Sequence, residues 1–141
     1  MRFLGQLFAP RMLTILCIDD DLQTLALRQV VLRAESFLVL SASTGQSGIA
    51  LANQHNIDVV VLDYSMPDMD GEEVARRLKQ QLPDLPIILC SGFVDIPESA
   101  FKLVEGFVSK GDAPEFLVAM IRSIVNRKKP PRHERRLDRS A

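Results

Sequence analysis

Five short apolar runs, at residues 15–18, 37–42, 59–62, 87–90 and 107–109, recur along the chain without regular polar alternation. A strand with one wet face carries a polar residue at every second position, so unbroken runs of this length predict strands covered on both faces. The stretches between them are amphipathic at helical spacing. Strands and helices alternating in this way fold as an α/β domain around a parallel sheet. At 141 residues the chain suffices for one compact domain and is too short for two of ordinary size.

Residues 22–34 place Leu22, Leu25, Gln29 and Leu32 along one helical stripe, with Ala26 and Val30 beside it, and 46–53 carry Ile49, Ala50 and Ala52. Residues 71–82 bring Val74, Ala75 and Leu78 to one face and leave Glu72, Arg76, Lys79 and Gln80 outside. The last helix, 114–126, opens with Pro114 and Glu115, which suit a helix start, and continues with Phe116, Leu117, Met120, Ile121 and Ile124, predicting a helix packed at the sheet edge. Gly92, Pro97 and Gly106 crowd the interval before the fifth run, so the fourth helix is expected to be short, over 98–104.

Hydrophobic residues make up 47% and charged residues 25% of the chain, which excludes disorder throughout. No apolar run approaches the ~20 residues needed to span a membrane, and the first ten residues lack a signal peptide's apolar segment and cleavage site. Cys17 and Cys90 lie inside apolar runs and are expected as reduced thiols packed like small hydrophobes, in a reducing, cytoplasmic setting. The expected organisation is an arm at 1–13, or a start misplaced upstream of Met12, a domain at 14–126, and a basic mobile tail at 127–141. The tail's seven basic and two acidic side chains give +5, against ten and sixteen, or −6, before it, so the net charge of −1 is a cancellation. Pro130-Pro131 and the scarcity of apolar and aromatic residues predict a solvated end, with no output domain after it and no DNA binding expected.

Asp19, Asp20 and Asp21 follow the first run, and Asp63 follows the third. In a doubly wound parallel sheet, ligands bind beyond the carboxyl ends of the strands where the winding reverses, and both groups would converge there. Two carboxylates about 4 Å apart repel by roughly 4 kcal/mol at an effective dielectric near 20. A crevice holding several needs a cation, and oxygen ligands without His or Cys select Mg²⁺ or a similarly hard ion. Ser91 after the fourth run and Lys110 after the fifth add a hydroxyl and an ammonium, groups that hold a phosphoryl group by its charged oxygens. Asp63 is then a candidate nucleophile that forms an acyl phosphate. Each feature alone has a plainer reading. An Asp triplet is most often a helix cap, which is expected of Asp21, and Met66, Pro67 and Gly71 can serve only to shape a turn. Phe107 alone could be core packing, and His55 and His133 sit in polar surroundings.

In combination, Ile15-Leu16-Cys17-Ile18-Asp19-Asp20-Asp21, Val61-Leu62-Asp63-Tyr64-Ser65-Met66-Pro67-Asp68-Met69-Asp70-Gly71, Cys90-Ser91-Gly92 and Val108-Ser109-Lys110 resemble the receiver domain of two-component response regulators. The resemblance implies a flavodoxin-like five-stranded parallel sheet of order 2-1-3-4-5 with helices on both faces. It implies that Asp63 accepts a phosphoryl group from a sensor histidine kinase or histidine phosphotransfer protein. Asp19, Asp20, Asp63 and the Ser65 backbone carbonyl would hold Mg²⁺, Asp19 largely through water. Ser91 and Lys110 would hold the phosphoryl oxygens, and Ser91 with Phe107 would form the switch. The output would be altered binding to a downstream protein that the sequence does not name, with a homodimer left open and no enzymatic turnover beyond slow self-dephosphorylation.

Three departures accompany the resemblance. Gly111 stands where the family usually has Pro after the lysine, so the loop aiming Lys110 is expected to differ in shape. The fourth helix is shortened, on the side where the family commonly forms its dimer or output face. Phe93, two residues after Ser91, is expected to slow loss of the phosphoryl group. The competing readings are a haloacid-dehalogenase-like phosphatase, for which Asp19 and Asp21 would be nucleophile and acid although Gln23 departs from its motif, and a binding module indifferent to phosphorylation.

Overall fold

The computed structural model describes residues 11–92 and 95–128. Five parallel strands, β1 (Thr14–Ile18), β2 (Leu38–Ala42), β3 (Val59–Asp63), β4 (Ile87–Ser91) and β5 (Gly106–Ser109), lie side by side in the order β2-β1-β3-β4-β5. Helices α1 (Leu22–Ala34), α2 (Gly45–Gln54), α3 (Gly71–Gln81), α4 (Glu98–Phe101) and α5 (Pro114–Lys128) alternate with them. This is the expected doubly wound sheet. The register sets Ile18 beside Leu62, Asp63 beside Cys90 and Ser91 beside Ser109, so the carboxyl ends of the central strands are nearly level.

The two-residue period of the strands divides the core. Ile15, Cys17, Val59, Val61, Ile88, Cys90 and Val108 pack on one face with Leu25 and Leu32 of α1 and Leu117, Ile121 and Ile124 of α5. Leu16, Ile18, Val60, Leu62, Ile87 and Leu89 pack on the other with Ala52 of α2, Val74, Ala75 and Leu78 of α3 and Ala100 of α4. Both cysteines are buried and free, as expected. No described helix is long and apolar enough to cross a membrane.

Several details differ from the sequence expectation. The buried seam of α1 is Leu25, Arg28 and Leu32, whereas Leu22 and Val30 are 69% and 68% exposed. The helix is rotated so that a charged residue enters the core, because a buried carboxylate waits there. Gln29 lies at the flank and donates from Nε2 to Ser41 Oγ at 2.6 Å. Helix α4 has only four residues, and no side chain caps its start at Pro97. Helix α5 sits over the same face as α1, with Phe116 exposed. It continues to Lys128, so the first two residues of the expected tail are helical. Phe93, the remainder of the tail and residues 1–10 lie outside the described residues.

Gly71 opens α3 directly beneath the end of β3, and its N–H donates to Tyr64 O at 2.7 Å. A Cβ there would stand 2.7 Å from Tyr64 Cα and 2.8 Å from Asp63 O, both backbone atoms that cannot move aside. Gly71→Ala is therefore expected to lower stability by about 1–3 kcal/mol through overpacking. An unchanged urea unfolding midpoint would contradict this.

Candidate functional site

Asp19 extends β1 by one further bond, its N–H donating to Ala42 O at 3.1 Å, and its side chain is fully buried. Asp19 Oδ1 accepts the Asp21 N–H at 2.9 Å. Asp19 Oδ2 faces two cations, Lys110 Nζ at 3.1 Å and Arg28 Nη1 at 3.4 Å. Asp21 points away as the cap of α1, accepting from Gln23 N–H at 3.0 Å and Thr24 Oγ1 at 2.8 Å. Asp63 ends β3, is 3% exposed, and lies 3.3 Å from Lys110 Nζ through Oδ1. Lys110 thus bridges the carboxylates delivered by β1 and β3.

Asp19, Asp20 and Asp63 each offer a carboxylate oxygen, and these oxygens lie within 4.8 Å of one another. An all-oxygen set of this size, with Asp20 exposed at its mouth, fits a hard divalent cation. Ser65 donates its backbone N–H to the Asp63 carboxylate and shares an open groove with Asp20, Tyr64 and Asp70. Ser91 is 2% exposed at the end of β4, and its carbonyl accepts the Lys110 N–H at 2.7 Å. Phe107 is 38% exposed, with its ring edge-on to Phe101 at a centroid distance of 5.6 Å and an angle of 67°.

Charge and burial act together here. Burial first, and then the neighbouring Asp19 charge, push the Asp63 carboxyl up to about 6 against the opposing pull of Lys110. Burial works against the Lys110 charge, but the hydrogen bond and attraction to Asp19, followed by Asp63, outweigh it and raise its pKa. Burial pushes the Cys17 thiol up to about 12 and raises Cys90 as well, so both remain neutral thiols.

Three supporting residues were missed in the sequence. Arg28 reaches the site from the core, with Nη2 donating to Cys90 Sγ at 2.8 Å as Nη1 meets Asp19. Its place in an otherwise amphipathic helix resembled that of any surface arginine. Asp112 closes the turn after β5, accepting the Ser109 N–H at 3.0 Å while its own N–H donates to Ser109 O at 3.0 Å. That turn aims Lys110 with Gly111 in place of proline. Asp68 accepts the N–H groups of Gly45 and Gln46, each at 3.2 Å, and so ties the loop after Asp63 to the first turn of α2. An Asp ahead of a helix cap was a signal for Asp68, but its partner lies 22 residues or more away in sequence.

The fold and this acidic site together define a receiver. The family model described as the response regulator receiver domain matches residues 15–122, and the chain belongs to that family. It is a phosphoacceptor signalling switch. A cell cycle response regulator, CtrA of Brucella ovis, is 32% identical over 118 residues, covering 82% of this chain and 51% of that protein. The chain thus spans about half the length of the curated relatives it matches. A receiver domain protein from Clostridium thermocellum is 27% identical with a TM-score of 0.77, over 83% of this chain and 97% of that one. TrrA of Thermotoga maritima, solved in complex with Mg²⁺ and BeF, is similar in fold, with 24% identity and a TM-score of 0.77 over 80% and 99% of the two chains. Nothing favours the dehalogenase-like reading. Its acid would be Asp21, whose carboxylate is occupied as a helix cap and held below its usual range by Thr24 and the Gln23 N–H.

A carboxyl raised in the folded state stabilises the fold when protonated, and this contribution is lost as pH rises through the folded pKa. For Asp63 it is present in full below about 4 and fades as pH passes about 6. Without divalent metal, Asp63→Asn is expected to exceed the wild type in stability by on the order of 2 kcal/mol at pH 7.5, with the gap shrinking toward pH 4. Denaturant unfolding of both proteins across that range, in EDTA, checks it. A gap that widens as pH falls would contradict the assignment.

Proposed function

We propose that Asp63 is the phosphoacceptor and that Asp19, Asp20, Asp63 and the Ser65 carbonyl hold Mg²⁺. The donor is a phosphohistidine of a sensor kinase or phosphotransfer protein. The observation that carries this reading is the single ammonium of Lys110 set between Asp19 and Asp63, which marks where negative charge gathers. The Asp63 oxygen attacks phosphorus, the phosphorus–nitrogen bond to histidine breaks, and the imidazole keeps the electron pair. Bound Mg²⁺ supplies charge neutralisation at the phosphoryl oxygens. Lys110 offers its ammonium to one phosphoryl oxygen, and Ser91 offers its hydroxyl to another. Asp63 must be ionised to attack, and its pKa of about 6 leaves it largely ionised near neutral pH, with acceptance falling as pH drops below about 6.

The domain responsible is 14–126 together with the rest of α5, flanked by an N-terminal arm and a basic tail that take no part in the chemistry. The protein acts in the cytoplasm as a switch without substrate turnover. Its output is a protein contact on the side of β5 and α4, with a homodimer as one form that contact could take and DNA outside the reading. Ser91 follows the phosphoryl group, and Phe107 turns into the space that Ser91 vacates.

Incubation with acetyl phosphate and Mg²⁺ should add the mass of one phosphoryl group to the wild type and none to Asp63→Asn. Equal behaviour of the two sinks the reading. Turning inward separates Phe107 from Phe101, a contact worth about 0.5–1.5 kcal/mol. Phe101→Ala is therefore expected to raise the inward population about two- to tenfold in the unphosphorylated protein. The ring resonances of Phe107 report that population, and a shift toward the outward state would contradict the role.

A further inference from the structure

Arg28 is a costly residue where it stands. It occupies the middle of the α1 seam between Leu25 and Leu32, its side chain is 10% exposed, and it lines a cavity of about 170 Å³ otherwise walled largely by apolar groups such as Leu27, Val31 and Leu117. A buried guanidinium persists only where a partner offsets its desolvation. Its ionic partner is Asp19 Oδ2, on the core side of the acidic site, and its second contact is the neutral thiol of Cys90.

We infer that Arg28 is a built-in counter-ion of the acidic site that weakens Mg²⁺ binding by the resting protein. The inference rests on the Mg²⁺ site proposed above. Asp19, Asp20 and Asp63 carry three negative charges, which Lys110 alone would reduce to a balance of −2, matching one divalent ion. With Arg28 the balance is −1, so Mg²⁺ enters against a fixed positive charge and competes with two cations for Asp19 Oδ2. Arg28 is not needed to orient that carboxylate, because Asp21 N–H still holds Oδ1 and Lys110 still holds Oδ2. Removing it therefore takes away repulsion without releasing the ligand. A purely structural Arg28 would affect stability and leave the affinity for Mg²⁺ unchanged.

The test is Mg²⁺ titration of the full-length protein, followed by calorimetry and by the fluorescence of Tyr64, the one tyrosine in a chain without tryptophan. Arg28→Met is expected to bind Mg²⁺ about fivefold or more tightly than the wild type, while Arg28→Lys, which keeps the charge, stays within about twofold. A folded Arg28→Met with wild-type or weaker affinity overturns the inference. If that variant does not fold, the wild type decides, since the Arg28 Nε–H resonance should move as Mg²⁺ saturates and its constancy overturns the inference. Equal, measurable affinities refute the role of Arg28 alone, whereas no Mg²⁺ binding by either protein also refutes the metal site.

Discussion

Mutual repulsion among Asp19, Asp20 and Asp63 is the constraint around which the rest is arranged. Their oxygens lie within 4.8 Å, and at an effective dielectric near 20 each charged pair costs about 3–4 kcal/mol. A sheet edge that collected only these groups would disfavour its own folding. The relief comes from distant parts of the chain. Lys110 arrives from the end of β5, Arg28 from the middle of α1, and backbone N–H groups of Asp21 and Ser65 from the two adjoining loops. The same contacts that make the charges tolerable therefore fix β1, β3, β5 and α1 relative to one another. The site is part of how the sheet holds together at that end.

This arrangement also explains how a local change in charge can be felt elsewhere. Lys110 is tied to the acidic pair through its ammonium and to Ser91 O through its backbone N–H. A more negative group on Asp63 draws on the same ammonium, and the adjustment passes to the ends of β4 and β5. Phe107, on β5, lies three residues before Lys110. On the other side of the site, Asp68 carries the loop after Asp63 onto the first turn of α2, so two routes leave Asp63 in different directions.

The fold was largely legible because its strands are buried on both faces, and continuous apolar runs such as Val59 to Leu62 have few other uses. Asp19, Asp63, Ser91 and Lys110 were legible because each directly follows or ends such a run, which places it at the carboxyl edge. Arg28 was not. Polar residues in an amphipathic helix are read as solvent-facing, and only the tertiary position of a buried Asp19 turns this one inward at the expense of Leu22 and Val30. Asp112 and Asp68 were hidden for a related reason. Their carboxylates cap backbone groups, and sequence at most marks an Asp near a loop as a cap without saying which backbone group it will take. The end of α5 was misplaced by a change of composition at Arg127, where the backbone simply continues as helix to Lys128.

The two faces of the sheet are not equally firm, and this bears on where a switch can operate. On the α1 and α5 face, the long helices bury Leu25, Leu32, Leu117, Ile121 and Ile124, and an ion pair joins α1 to the site. At the β5 end of the opposite face, four-residue α4 contributes one fully buried side chain, Ala100, with Ile96, Leu103 and Val104 only partly covered. Helix α4 begins without a side-chain cap and is joined to α3 by Ser99 Oγ donating to Glu72 Oε1 at 2.7 Å. Segments with few buried contacts and exposed backbone bonds open at the lowest free energy. On the role proposed for Asp63, rearrangement driven from it is therefore expected at α4 and Phe107, with the face braced by Arg28 as the frame against which they would move.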